Sequence, residues 1–492
     1  MSSIKTFDTI HDLFAGKRRY ATTHLDNDPS IRYQDDVYEQ LAQLEYIYVD
    51  ELTEQIASGS DDLVWQKPLS LADFFEGLTQ LAAMGVVEVT DIVEAIHREI
   101  LLRPLGRFNE GNLNKWQRGI TGRIYGTVRQ AMSLIGNNLV SGLRLYNNVR
   151  NQSFPRPLPE TIRQLVNILN GVMGDHLVNH NNPLAIPMVL YDHSLFPIHE
   201  NIPHRKISGR VIILCHGLCM SHLSWQPFEP DSLGKRIGRS QLDATVLYLN
   251  YNTGRRISSN GRNFAKVIQQ LIDDHPDIMQ IDLIGHSMGG LVARSALFYG
   301  SQARQDWVNR VGNLITLGSP HHGAVLERIG NFVQDVISKL PFAGALAKLG
   351  DLRSAGIIDL RHGSVRDADW QSLKGRSVLP PDFRHPTPLP RHVYTYFIAS
   401  TLAEAHYDAK TTKLLGDGLV TIESALGEDE DEHTLLVPEG HKAIFYGISH
   451  YNLIYSSRVH KQIIAWLLDN GQSDYLLSPR IYSYPKNVEV VI

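Results

Sequence analysis

The sequence predicts an α/β chain in which a mostly parallel central sheet is covered by helices, preceded by a helical region and interrupted by a helical insertion. Three observations predict it. After about residue 184, short apolar runs alternate with helix-like runs. Before that point, apolar residues recur at helical spacing and strand signals are scarce. Finally, about seventy residues of helix-like, apolar-rich sequence separate two of the strands, far more than an ordinary connection needs.

Composition bounds the class. At 492 residues the chain has room for several domains and can bury a large core without cross-links. Its hydrophobic content of 43% and charged content of 20% are those of a soluble globular protein. A net charge of −5 gives no global attraction to nucleic acid, and none is expected as a partner. Two cysteines exclude a disulfide scaffold and fit a reducing compartment. The start, "MSSIKTFDTIHDLFAGKRRY", has no unbroken apolar core of the kind a secretory signal needs. No run approaches the roughly 18 apolar residues of a membrane-spanning helix. The expectation is a soluble cytoplasmic protein.

The first region, 1–183, is read as helical from "ADFFEGLTQLAAMGVV", "DIVEAIHREILL", "GRIYGTVRQAMSLIGNNLVSGLRLY" and "PETIRQLVNILNGVMGDHLV", with "SFPRPLP" (153–159) as a break. Within it, 111–159 carries Lys115, Arg118, Arg123, Arg129, Arg144, Arg150 and Arg156 and no acidic residue. Two readings stand: a surface for peripheral contact with anionic lipid, or a helix packed on the sheet domain with its arginines solvated or paired.

The sheet domain is 184–470. "AIPMVLYD" and "SLFPI" suggest a hairpin, and "RVIILCHG", "TVLYLNYN", "MQIDLIGHS", "VGNLITLGSP", "HVYTYFIAS" and "KAIFYGISH" read as buried strands. "NGRNFAKVIQQLIDD" and "GGLVARSALFYG" supply helices between them. The insertion, about 324–391, includes "VLERIGNFVQDVISKLPFAGALAKLGDL" and emerges at the carboxyl edge of the strands. It is read as a cap or lid walling an acyl pocket, against the alternative of a structural insertion away from the site. The tail, 471–492, is either docked on the core or loose. The acidic run 428–432 is most simply a solvated loop.

Chemistry in a parallel sheet sits beyond the carboxyl ends of its strands. There, "IDLIGHSMGGLVARSAL" (281–297) turns a strand into a helix around Ser287. So tight a bend leaves no room for a side chain at Gly285 or Gly289, and it lifts the hydroxyl to a helix N-terminus that favours developing negative charge. This is the G-x-S-x-G nucleophile elbow. A serine needs a base and an acid to orient it, in the order Ser, acid, His for such an elbow. His450 follows the strand "KAIFYGIS" and precedes an amphipathic helix, which is where the base must stand. His441 lies at the wrong end of that strand, and His460 lies inside the helix. For the acid, "LLGDGLVTIESAL" (414–426) offers Asp417 between two glycines, with Asp408 competing in the same loop. The oxyanion donors expected are the backbone N–H groups of Met288 and of Leu218 in "HGLCMSHLSW". His216 is read as a brace for that loop. Cys215 and Cys219, with no second pair, do not make a zinc site. His321 and His322 are read as loop structure, and no metal or cofactor is expected.

Taken together, "HGLCMSHLSW", "GHSMGG", "LGSPHHG" (317–323), "GDGLV" and "ISH" resemble the α/β-hydrolase superfamily in its lipase and esterase branch, over about residues 185–470. The resemblance implies hydrolysis of a hydrophobic ester or lipid through an acyl-serine intermediate, without a cofactor. "GSPHHG" is also similar to a segment of lipase-like enzymes acting on lipid-anchored or glycerolipid esters. The same triad would serve an acyltransferase or thioesterase, and a non-catalytic lipid-binding or scaffold protein could share the fold.

Overall fold

A computed structural model describes residues 160–198, 207–338, 354–371, 384–404, 415–429, 433–469 and 480–482, together with Asp73, Phe74, Gly77, Gln80 and Leu81, which are helical. The basic segment 111–159, the competing acid Asp408, and the remainder of the N-terminal region, insertion and tail lie outside the described residues.

In chain order the described elements are α1 (Glu160–Asn179), β1 (Val189–Tyr191), β2 (Gly209–Cys215), α2 (Leu233–Arg239), β3 (Ala244–Asn250), α3 (Ile257–Asp274) and β4 (Ile278–His286). They continue as α4 (Met288–Gln302), β5 (Val311–Leu317), α5 (Leu326–Ser338), α6 (Ala355–His362), α7 (Asp367–Gln371) and β6 (Tyr394–Thr401). The last are α8 (Ile422–Ala425), β7 (Lys442–Tyr446), α9 (Ser457–Asp469) and β8 (Arg480–Tyr482). The strands form one sheet in the order β1-β3-β2-β4-β5-β6-β7-β8. Only β1 runs antiparallel among them; every other pairing is parallel.

The strands are apolar on both faces because helices cover both. Along β2, Val211, Ile213 and Cys215 enter the core layer shared with α1, α3 and α4, while Ile212 and Leu214 enter the layer shared with α2 and α9. That is the two-residue period of a pleated strand. The order of winding across the sheet reverses at β2, since β3 lies on one side of β2 and β4 on the other. A crevice opens at such a switch point beyond the carboxyl ends, and it is where the loops after β2 and β4 meet.

The expected hairpin is present in reduced form: β1 turns at Asp192 and returns through a single bridge between Tyr191 and Pro197. The Asp192 carboxylate holds the turn by accepting from the amides of Ser194 and Phe196. In the tail, Arg480–Tyr482 pairs with β7 and so docks on the sheet edge. Among the described residues no helix is long and apolar enough to cross a membrane.

Helix α1, read from sequence as part of the N-terminal region, contributes Leu165, Val166, Ile168, Leu169 and Val172 to the same core layer as β2, as do Phe74 and Leu81. Its glycine face is the reason it fits so closely. A Cβ on Gly171 would stand 2.2 Å from Cys219 Sγ, so α1 backs directly onto the loop after β2.

The insertion divides into parts with different roles. Helix α5 buries Ile329 and Val333 and sets the Phe332 ring edge-on to His450 at 5.8 Å. Helices α6 and α7 dock instead on the helical layer. Ser354 caps α6 by accepting from the Ile357 amide, and its hydroxyl donates to Gly171 O at 2.7 Å. Asp359, buried on α6, accepts from the Ile257 amide at 2.9 Å and pairs with Arg256. A carboxylate from a distant helix thus caps the N-terminus of α3, whose own N-cap residue provides no side-chain bond.

Asp359→Ala should therefore lower unfolding free energy by about 3 kcal/mol, the loss of two charge-assisted contacts. Because burial raises the Asp359 carboxyl to about 7, urea denaturation of the variant at about pH 8.5, where it is ionised, measures this, and an unchanged midpoint would contradict the capping role.

Candidate active site

The β4–α4 junction is built around two absences of side chain. A Cβ on Gly285 would lie 2.4 Å from Gly290 Cα and N, and one on Gly289 would lie 2.4 Å from Cys215 O. Both are backbone collisions that no rotamer relieves. The chain can therefore pass from strand to helix within one residue, and Ser287 takes φ 54°, ψ −124°. A positive φ is strained for a residue with a Cβ. Two hydrogen bonds hold it: Ser287 N–H donates to Leu317 O at 2.8 Å, and Ser319 Oγ donates to Ser287 O at 2.7 Å.

At the end of β7, His450 starts a short 3-10 turn, Tyr451–Ile454, and is buried. Its Nδ1 lies 2.7 Å from Asp417 Oδ2. Its main-chain N–H donates to Asp417 O at 2.9 Å. The other carboxylate oxygen of Asp417 accepts from the amides of Leu419 and Val420 at 3.0 and 2.7 Å. Gly416 at φ 52° and Gly418 at φ 97° make the bend that turns this carboxylate inward. With Oδ2 facing Nδ1, that ring nitrogen carries the proton, and Nε2 is the free acceptor. Nε2 is buried and has no hydrogen-bond partner among the described residues. No bond joins it to Ser287 Oγ among those residues either.

The other histidines occupy different environments. His441 stands at the opposite end of β7, bonded through Nδ1 to Thr395 O and stacked on Tyr396. His460 is in α9 and bonds Ile454 O. His321 is buried between Arg294, on its Nδ1, and Thr316, on its Nε2. Burial first, then the Arg294 charge, holds it well below the usual histidine range. His322 contacts Arg384 and Asp429.

The loop after β2 lies against the elbow, since a Cβ on Gly217 would stand 3.1 Å from Ser287 Cβ. His216 braces this loop. Its Nδ1 contacts Gly217 O at 3.0 Å, its Nε2 accepts from Tyr251 N–H at 3.3 Å, and its ring stacks on Tyr251. Cys219, at φ 58°, donates its amide to Thr253 Oγ1. Both cysteines are free and buried, and burial pushes the Cys219 thiol up to about 12. Leu218 and Met288 are themselves buried, and neither amide is paired among the described residues.

Two residues near the base escape a reading of sequence alone. Phe332 reaches the His450 ring from α5. His286, the residue before Ser287, bonds His450 O through Nε2 at 3.0 Å. Its presence inside "GHSMGG" was the available signal, but nothing local says where its side chain goes.

Residues 206–404 match the family described as "PGAP1-like alpha/beta domain". No curated protein matches the sequence. Similar solved structures include mature lipase BlEst2 of Bacillus licheniformis, 17% identical, covering 57% of this chain and 98% of that one with a TM-score of 0.34. Lipase B of Aspergillus fumigatus is 15% identical over 57% of this chain and 56% of its own, with a TM-score of 0.31. The NocB thioesterase domain is 12% identical over 57% and 100%, with a TM-score of 0.32. The sheet order, the elbow and the family match identify the α/β-hydrolase fold, a fold of hydrolases.

The buried histidines give the site a pH signature. Burial pushes His216 and His286 down to about 3 and His222 to about 4. Below about pH 6.5 the unfolded chain binds protons that these neutral rings refuse, so their contribution is intact above that pH and lost as pH falls toward 3. Each should cost about 2 kcal/mol of stability by about pH 5. Urea unfolding at about pH 7.5 and 5 should show the drop, and equal free energies at both would refute it.

Proposed function

We propose that the chain is a serine hydrolase of carboxylic esters, of the lipase or esterase kind, working on hydrophobic acyl substrates through an acyl-serine intermediate. The observation that carries this reading is the 2.7 Å contact between His450 Nδ1 and Asp417 Oδ2, which leaves Nε2 as a buried, unpaired base on the same sheet edge as the strained Ser287.

In this mechanism His450 Nε2 takes the Ser287 proton as Oγ attacks the ester carbonyl. Asp417 keeps the ring in the tautomer that exposes Nε2 and stabilises the imidazolium that forms. The tetrahedral oxyanion is met by the unpaired amides of Met288, at the first turn of α4, and Leu218, in the loop braced by His216. Protonation by His450 releases the alcohol. The same base then activates water against the acyl-serine, restoring both groups. Every step uses this chain's own side chains and amides, and none calls on a cofactor or metal.

The hydrophobic preference rests on α5. It places Phe332 against the His450 ring and sits where the insertion leaves the carboxyl edge. We read α5 as the wall of the acyl pocket, which excludes water and strengthens the site's electrostatics. Helices α6 and α7 are then its anchored base rather than a moving lid.

Ser287→Ala should lose all labelling by a fluorophosphonate and essentially all hydrolysis of p-nitrophenyl esters. Asp417→Asn should lower kcat by about 10⁴-fold through the wrong tautomer. A chain-length series of these esters beside matching acyl thioesters identifies the substrate class. Preference for thioesters would move the reading to a thioesterase, and an unlabelled wild type would leave only a non-catalytic role.

A further inference from the structure

His286 is buried between the two groups that must meet. It is covalently adjacent to Ser287, and its Nε2 lies 3.0 Å from the main-chain oxygen of His450. The two rings are 4.8 Å apart and tilted by 44°. Because a carbonyl can only accept, Nε2 must be the protonated nitrogen of His286. Its Nδ1 is buried without a partner among the described residues and faces the Gly217 backbone, where an added Cβ would stand 3.0 Å away.

We propose that His286 is a positioning residue, the tether that sets the distance between the hydroxyl of Ser287 and the imidazole of His450. This rests on the reading of those two residues as nucleophile and base. Among the described residues, three hydrogen bonds reach His450 from other segments of the chain. Two come from the acid loop, through Asp417 O and Oδ2. They fix the base relative to the acid but not relative to the serine. The third, from His286, connects it to the elbow. One hydrogen bond and one peptide unit therefore couple the two segments, so a shift of the β7–α9 loop carries the nucleophile's backbone with it.

The tether also has to be electrically silent. A cation beside His450 would oppose the imidazolium that forms when the base takes its proton. Burial, followed by the neighbouring His450, pushes His286 down to about 3, so the ring stays neutral wherever the base works. A lysine or arginine could donate to the same carbonyl but would bring its charge. Neutrality, a donor at the Nε2 position and a stem short enough to leave the strand directly are met together by histidine.

Glutamine and asparagine separate this role from a mere need for a polar side chain, because the Gln amide nitrogen superposes on histidine Nε2 and the Asn amide nitrogen on Nδ1. With a p-nitrophenyl ester as probe and thermal unfolding as the folding control, His286→Gln should recover most of the rate. It should fall within about fivefold of wild type, the cost of one imperfect hydrogen bond. His286→Asn and His286→Met should lower kcat on the order of 10²-fold, as misplaced reacting groups do. KM should stay within about twofold in all three, because ground-state binding is untouched. If Met fails to fold, Asn still decides. Asn keeping kcat at the Gln level, Gln falling as far as Asn, or a loss carried in KM would each overturn the tether. Ser287→Ala, assayed beside them, keeps the two readings apart. If it remains active, the serine mechanism itself fails. If it is inactive while all three His286 variants behave as wild type, only the tether fails.

Discussion

At the junction of β4 and α4, backbone packs on backbone. Gly285 lies against Gly290, and Gly289 lies against the carbonyls at the end of β2, with 2.4 Å left for any added Cβ. This contact turns the chain from strand to helix within a single residue. It forces the positive φ of Ser287 and brings the loop after β2 up against that residue. It also sends the side chain of His286 toward the loop that carries His450. The polar arrangement of the site follows from that geometry, because each partner is reached from a backbone the two glycines have already placed.

The surrounding electrostatics are those of deeply buried groups. His216, His222, His286, His321 and His450 all lie within the loops and elements at this edge, and four of them are held below the ordinary histidine range, by burial first of all. Neutral rings serve such a place well. They satisfy carbonyls and amides without bringing charge into a low dielectric, where an uncompensated cation is costly. The carboxylate of Asp417 is accommodated differently, with two amide donors on one oxygen and the His450 ring on the other. The Asp417 carboxyl group and the neutral rings thus occupy separate positions.

Around this centre the helices divide the work. Helix α1 supports the loop after β2 through the gap at Gly171, and α6 ties α1 to the start of α3 through Ser354 and Asp359. Helix α5 faces His450 through Phe332. One insertion therefore supplies both a strut and an aromatic contact to His450. The strut is rich in hydrogen bonds and ion pairs to the body, whereas α5 meets His450 through an aromatic edge.

The alternation of apolar strands with helices was legible because a buried parallel sheet imposes it residue by residue. The elbow was legible because a tight turn demands glycine at fixed offsets from the serine. His450 and Asp417, which the structure brings to 2.7 Å of each other, are marked in the sequence by their places after strands and by the two glycines flanking Asp417. The alternation and the elbow are local constraints, so the sequence by itself determined them. What joins distant segments was not legible: that His286 reaches the carbonyl of His450, that α1 belongs to the sheet's core, that Asp359 caps a helix a hundred residues earlier, and that tail residues 480–482 extend the sheet. Only the tertiary structure decided these. A hydrogen bond across such a separation depends on which faces pack together, and helical or strand periodicity says that a face is buried without saying against what.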